Sequence, residues 1–264
     1  MKKVKIVFTD FDSTLTVESG IVDIRNKVIF ERLAEIGIPV VINTGRPLNY
    51  IIPKCKQFST SNYVIASNGA EIYNFKNDKM IYQSVISKEL INILSNLVKK
   101  YNLFFMANSL KKRYTNKKEN NVGFMVIQDL NDITDNISQV ILESYDINSM
   151  MELRASLDKI DGLKIANKTK HVVDGKLLYY DIVNSEVSKG KALEILCNYL
   201  NISLDKAMAI GDADNDIEML EKAGFKVAVA NATDNLKKIA DVITLSNKEN
   251  GVAIVLNDLY QNIK

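Results

Sequence analysis

Lys5-Ile6-Val7-Phe8-Thr9-Asp10-Phe11-Asp12-Ser13-Thr14-Leu15 carries the reading of the whole chain. Residues 5–9 form an apolar run rich in β-branched and aromatic side chains, the pattern of a short buried strand. That run leads directly into two carboxylates two residues apart. Acids at the end of a buried strand are costly unless a cation waits for them. The carboxyl edge of a parallel sheet is also where such folds place their ligands. Asp-x-Asp followed by Ser and Thr is equally good turn and helix-cap chemistry, so the rest of the chain has to decide.

Outward from this stretch the same texture continues. A helix is predicted over Asn26–Ile36, with Val28, Ile29, Leu33 and Ile36 at helical spacing and Gly37 as its C-cap. Pro39–Ile42 reads as a second strand and ends in Asn43-Thr44-Gly45-Arg46-Pro47, where Pro47 suits the first turn of a helix running to about Gln57. Tyr63–Ala66 is a third strand, ending in Ser67-Asn68-Gly69-Ala70. A small hairpin, Glu71–Phe75 and Lys79–Gln83, follows it.

From about Ser84 the texture changes. Helical runs over Lys88–Lys100 and Ser149–Ile160 mix with strands over Leu103–Met106, Gly123–Ile127, Gln139–Leu142, Leu163–Ala166 and Leu177–Val183, an order that fits an antiparallel sheet carrying helices. The first texture then resumes with a helix over Lys189–Leu200, a strand over Ala207–Ile210, a helix over Asp214–Ala223 and a strand over Lys226–Ala230. A short helix over Thr233–Ala240, capped by Thr233, a strand over Val242–Leu245 and a helix over Gly251–Ile263 close the chain. The expected fold is α/β: a Rossmann-like parallel sheet core with helices on both faces, built from residues 1–83 and 185–264. An α+β domain is inserted over residues 84–184.

Composition narrows the function. The 264 residues carry 34 Lys plus Arg against 32 Asp plus Glu, and a net charge of +2 gives no case for nucleic acid. The local run Lys111-Lys112-Arg113, with Lys117 and Lys118 nearby, reads as a solvated loop. Asp10 and Asp12 break the N-terminal apolar run, so no secretory signal is read there, and no stretch approaches the ~20 apolar residues of a membrane span. Cys55 and Cys197 have no metal-type spacing. A reduced, cytoplasmic protein is expected, as a monomer or weak homodimer. The single histidine, His171, argues against phosphohistidine chemistry and multi-His zinc sites. No Gly-x-Ser-x-Gly elbow appears.

Three further pieces answer the first. The Ala207–Ile210 strand ends in Gly211-Asp212-Ala213-Asp214-Asn215-Asp216, three acids within five positions that repel one another unless a divalent cation sits there. A calcium loop fails, because Ile217 stands where Gly is required and Ala223 where Glu should chelate. Magnesium fits the strand-then-helix context better. Thr44 and Gly45 combine a hydroxyl with backbone N–H groups at a helix start, which is a phosphate-binding device, although Thr44 could simply cap. Lys189 opens a helix, where the dipole disfavours it. A P-loop would need Gly at Ser185 and Ser or Thr at Ala192, so that reading falls. Each piece has a plain structural explanation alone; what joins them is that, in chain order, the first, second and fourth (Asp10–Asp12, Thr44–Gly45 and Gly211–Asp216) sit at C-terminal strand ends.

In that order the pieces resemble the haloacid dehalogenase superfamily of phosphatases, specifically the Cof-type branch with a large α/β cap inserted mid-chain. Asp10-Phe11-Asp12-Ser13-Thr14 matches the nucleophile motif, Thr44-Gly45-Arg46 the second, Lys189 the third and Gly211–Asp216 the fourth. Asn68-Gly69-Ala70 and Asn250-Gly251-Val252 also sit where similar members carry like sequences. Ser13 replaces the usual Gly, and Asn250 the usual Asp. The resemblance implies a Mg²⁺-dependent phosphatase acting on a small phosphorylated metabolite. Asp10 would be the nucleophile, Asp12 the acid and base, and Lys189 their cationic partner. Mg²⁺ would be held by Asp10, the Asp12 backbone carbonyl and Asp212, with Asp216 either a direct ligand or just behind them. Thr44, Gly45, Asn215 and Arg46 would bind phosphate or substrate. The inserted domain is then a lid that reads the leaving group, with Arg113, Lys168 and His171 as candidate contacts. A phosphomutase of the same fold, a non-enzymatic phospho-ligand-binding regulator and a flavodoxin-like cofactor domain remain the rivals.

Overall fold

The structure, a computed structural model, describes residues 3–17, 20–119, 122–166 and 177–263. The first unit comprises Met1–Tyr82 and Ser188–Lys264, the second Gln83–Val187.

In the first unit the short apolar runs become strands: β1 (Ile6–Thr9), β2 (Val40–Asn43) and β3 (Tyr63–Ala66), with α1 (Ile24–Glu35) and α2 (Leu48–Gln57) between them. All four residues of β1 and of β2 are buried. The hairpin strands β4 (Glu71–Asn74) and β5 (Lys79–Gln83) extend the same sheet. The second unit contains α3 (Lys88–Lys100), β6 (Phe104–Ser109), β7 (Arg113–Thr115), β8 (Met125–Val126), β9 (Ile137–Ser144), α4 (Ile147–Leu157), β10 (Leu163–Ile165) and β11 (Leu178–Asn184). The first unit resumes with α5 (Lys189–Tyr199), β12 (Ala207–Gly211), α6 (Ile217–Lys222), β13 (Phe225–Ala228), α7 (Asp234–Ile239), β14 (Val242–Ile243) and α8 (Gly251–Ile263).

The α/β fold read from the sequence is the one observed. The main sheet runs β14-β13-β12-β1-β2-β3-β4-β5, parallel from β14 to β3, with β4 antiparallel to β3. Register decides what this sheet can do. Thr9 pairs with Ile210 of β12 on one side and with Ile42 of β2 on the other. The residues that follow these three strands therefore emerge together on one edge, as ligand-binding residues do in open parallel sheets.

Three local readings change. The buried face of α1 is Asn26, Ile29, Phe30 and Leu33, not the Val28 and Ile36 of the sequence pattern; Val28 is 43% exposed and Ile36 is the C-cap. Asp23 caps α1 by accepting from Arg25 N, so the helix starts earlier, and Asn26, Ile29, Phe30 and Leu33 form its buried i, i+3, i+4, i+7 stripe. Its end follows expectation: Gly37 at φ +77° donates to Ala34 O, and Ile38 donates to Leu33 O, the paired bonds of a Schellman motif. The third change concerns the basic run. Arg113 is not in a solvated loop but opens β7, where Tyr114 is buried and its hydroxyl donates to Asp135 at 2.7 Å.

The second unit has its own six-stranded sheet, β10-β11-β9-β6-β7-β8, antiparallel except for the β7–β8 pair. Its core joins Ile91, Leu94 and Val98 of α3 to Phe105 of β6, Leu142 of β9 and Leu153 of α4. Among the described residues no helix is long and apolar enough to cross a membrane. Lys168 and His171 lie outside the described residues.

Back in the first unit, α5 and α6 meet backbone to backbone. A Cβ added to Gly190 would lie 2.5 Å from the Glu218 carbonyl oxygen. Gly190→Ala should therefore force the two helices apart and destabilise the protein by about 1–3 kcal/mol, the usual cost of overpacking. A lowered thermal midpoint checks this; an unchanged one would show that the contact relaxes without cost.

Candidate active site

Lys189 is the first residue of α5, and its side chain is almost fully buried. Two bonds pin that helix start: Ser188 accepts from Lys191 N at 3.0 Å, and Asn43, at the end of β2, donates to the Lys189 carbonyl at 3.0 Å. The ammonium is thereby delivered between two carboxylates. Lys189 Nζ donates to Asp10 Oδ1 at 2.6 Å and to Asp216 Oδ1 at 2.6 Å. Asp10 follows β1 directly, and its own N–H donates to Ile210 O at 2.9 Å, carrying the sheet register one residue past the strand.

Asp216 is completely buried. Its second oxygen accepts from the Asp212 and Ala213 N–H groups, both at 3.1 Å, which curls the segment after β12 into a 3-10 turn over Asp214–Asp216 before α6 begins. Asp212 accepts from the Thr14 hydroxyl at 2.6 Å. The carboxylates of Asp10, Asp212 and Asp216 each offer an oxygen within 4.8 Å of the others.

Three acids thus lie round one ammonium, Asp10 and Asp216 buried and Asp212 half-buried. Burial raises the Asp10 pKa well above the ordinary carboxylate value; Lys189 opposes the rise, and Asp216 and Asp212 add to it. Burial also lifts Asp212, with help from the Asp216 charge, to about 6. Burial acts against the Lys189 ammonium, but Asp10 and Asp216 outweigh it and hold its pKa above the ordinary value. The cluster therefore retains an excess of negative charge if all three acids ionise. Oxygen donors in that number with that charge suit a hard divalent cation such as Mg²⁺, so the donor set fits the metal.

The remaining sequence candidates lie close by along the chain but make other contacts. Asp12 is turned toward Arg46, which donates from Nε and from a terminal nitrogen to the two carboxylate oxygens, each at 2.8 Å. Arg46, expected to take phosphate or substrate, holds Asp12 here, with its guanidinium carbon 4.9 Å from the centroid of the Tyr50 ring. Thr44 is buried and its hydroxyl oxygen accepts from Arg46 N at 3.1 Å. Asn215 donates to Asn68 Oδ1 at 3.3 Å. Ser13 stands at φ +60°, a conformation that favours glycine, and its carbonyl is held by Asn231 Nδ2 at 2.9 Å. Arg113, in the other unit, stacks 3.9 Å over Phe124 and donates to Asn108.

Sequence reasoning passed over the tie from Thr14 to Asp212, the clamp from Asn43 to Lys189 and the contact of Asn68 with Asn215. Thr14 and Asn68 were visible inside motifs. Asn43 looked like a strand-end asparagine and nothing more.

The chain is similar to known proteins. Residues 7–256 match the profile of a family described as haloacid dehalogenase-like hydrolase. A Bacillus subtilis 5-amino-6-(5-phospho-D-ribitylamino)uracil phosphatase is 28% identical over 258 residues, covering 95% of this chain and 93% of its own. A phosphoglycolate phosphatase of Methanopyrus kandleri is 29% identical over 258 residues, covering 98% of each. A crystal structure of a haloacid dehalogenase-like hydrolase from Bacteroides thetaiotaomicron superposes with a TM-score of 0.87 at 25% identity, over 97% of this chain and all of the other.

The raised Asp212 pKa has a measurable consequence. Between the ordinary 3.8 and about 6 the folded, metal-free protein binds more protons than the unfolded chain, so stability falls as pH rises through that window. Asp212→Asn keeps an oxygen for Thr14 and removes the charge. Urea unfolding in chelator should find the variant more stable than wild type at pH 7.5, by on the order of 2 kcal/mol, and level with it near pH 3.5. A variant weaker than wild type at pH 7.5 would contradict the charge imbalance.

Proposed function

This chain belongs to the haloacid dehalogenase-like hydrolase family, and from that premise we propose that it is a phosphoric monoester hydrolase. In this reading it works through an aspartyl-phosphate and takes a small phosphorylated metabolite, with a sugar phosphate or similar monoester as the substrate class. The observation that carries the reading is the buried Asp10–Lys189–Asp216 bridge, with Asp212 beside it. It offers a carboxylate nucleophile, fixed in direction, at a sheet edge. The relatives described above, named as phosphatases of two different esters, support the reaction class and leave the alcohol open.

The resident metal would be Mg²⁺, held by the carboxylates of Asp10 and Asp212 and the backbone carbonyl of Asp12. Asp216 would sit behind them, because its oxygens already serve Lys189 and two backbone N–H groups. When bound, the ion supplies the positive charge that lets a phosphate dianion approach carboxylates.

The chain's own residues do the rest. Asp10 attacks phosphorus in line; the bond from phosphorus to the ester oxygen breaks and a bond from phosphorus to Asp10 forms. Asp12 gives its proton to the leaving alkoxide, then takes one from the water that attacks the same phosphorus and frees Asp10 with release of inorganic phosphate. Arg46 donates to both Asp12 oxygens in the resting protein, so one of those bonds gives way when Asp12 carries its proton. Lys189, the Thr44 hydroxyl, the Gly45 N–H and Asn215 hold the transferring oxygens, where charge gathers in the transition state. Thr44 is suited to donate, since its oxygen already accepts from Arg46 N. As part of the same proposal, the inserted domain of residues 84–184 selects the leaving group.

Phosphate release from a panel of sugar phosphates and short-chain monoesters tests the scheme. Asp10→Asn should abolish turnover, and chelation should do the same until Mg²⁺ is restored. Asp12→Asn should slow alkyl esters by about 10²–10⁴-fold; with p-nitrophenyl phosphate, whose leaving group needs no proton, the first step should be spared and a burst of nitrophenolate should precede slow turnover. An Asp10→Asn protein with wild-type turnover would end the proposal.

A further inference from the structure

The turn after β3 belongs to none of the four matched motifs that supply the proposed chemistry, yet it touches three of them. Ser67, Asn68 and Gly69 take three consecutive positive φ values, +51°, +59° and +101°. L-residues avoid that region, and conformations of this kind persist where the surroundings over-determine them. All three residues are buried. Linking β3 to β4 requires neither a run of left-handed residues nor a buried carboxamide, which must be hydrogen-bonded to be tolerated.

The contacts show what the turn fixes. Asn68 N donates to Thr44 O and Ser67 N donates to Arg46 O, both at 3.0 Å, so the carbonyls on either side of Gly45 are held. Thr44 N donates to Ile65 O, which ties the same segment to β3. The Asn68 carboxamide fills the space beside Gly45: a Cβ there would lie 3.0 Å from its oxygen and 3.2 Å from its nitrogen. That oxygen also accepts from Asn215 Nδ2 at 3.3 Å. On its far side the turn abuts the start of α5, where a Cβ on Gly69 would strike the Ser188 carbonyl and lie 3.1 Å from Lys189 N. One turn therefore meets Thr44–Arg46, Ser188–Lys189 and Asn215.

We propose that Asn68 is a positioning residue for phosphoryl transfer: its backbone locks the peptides around Gly45 and its carboxamide fixes Asn215, so that both face the transferring oxygens in a preset geometry. This rests on the reading of Gly45 and Asn215 as phosphoryl-holding groups. Groups aimed in advance at developing charge lower the barrier because nothing has to reorganise during reaction, and a misplacement of about 1 Å can cost about 10²-fold.

Two variants test it. Asn68→Gly keeps the left-handed backbone and removes the carboxamide. Asn68→Asp keeps the oxygen that accepts from Asn215 and places a negative charge beside Gly45. Turnover, inhibition by orthovanadate and thermal unfolding are measured for each with Mg²⁺ present. Asn68→Gly should lose about 10- to 100-fold in kcat and weaken vanadate inhibition to a similar degree, at a thermal midpoint close to wild type. Asn68→Asp should also weaken vanadate inhibition, because its charge lies beside the Gly45 N–H proposed to hold the anion; a carboxamide remote from that site would leave inhibition unchanged. Wild-type kcat and vanadate inhibition in either variant would overturn the proposal. So would losses in both variants that only follow a lowered thermal midpoint. If the wild type itself releases no phosphate and ignores vanadate, the phosphatase reading fails and this proposal fails with it. A vanadate-sensitive wild type matched by Asn68→Gly would sink this proposal alone.

Discussion

A buried ammonium between two buried carboxylates is the constraint on which the main unit depends. Removing one partner from such a bridge leaves an uncompensated charge away from water, typically at a cost of about 3–5 kcal/mol. Lys189, Asp10 and Asp216 must therefore arrive together, although Lys189 and Asp10 are 179 residues apart. Each arrival has its own device. Asp10 is set by the pairing of β1 with β12, Asp216 by the 3-10 turn that its own carboxylate folds, and Lys189 by Ser188 and Asn43.

The bridge leaves the electrostatics unbalanced. Burial, with neighbouring acids that one ammonium does not offset, holds Asp10 and Asp212 both above the ordinary carboxylate pKa. Perturbed acids gathered in one place by a specific cationic partner cluster at functional sites. The same arrangement separates the duties of the acids. Asp216 is enclosed and fully engaged, Asp212 is tied to Thr14, and Asp12 stands apart with Arg46 on the more exposed side. Carboxylates identical in chemistry thus stand in different surroundings.

Much of the frame was legible because it is local. The largely apolar, buried runs of β1, β2 and β12, Gly37 at the end of α1 and Thr233 at the start of α7 follow from residue type and period. Errors arose where a second influence competed. Val28 lies about 200° round the helix from Phe30, so only one of them can face the core and Phe30 does; the basic run around Arg113 contains a strand because Tyr114 finds a core and Asp135. The bond from Arg46 to Asp12 was out of reach for a different reason: it joins residues 34 apart through the exits of two neighbouring strands.

By itself, then, the sequence determined which segments are strands, where their chemistry-bearing ends lie and which residue types stand there, since these depend on neighbours within a few positions. Tertiary structure decided which of those ends share an edge and which acid meets the lysine. It also decided which asparagine lies against Gly45. Those outcomes rest on strand register and on contacts as distant as residues 68 and 215, and sheet register is settled by burial across the whole fold.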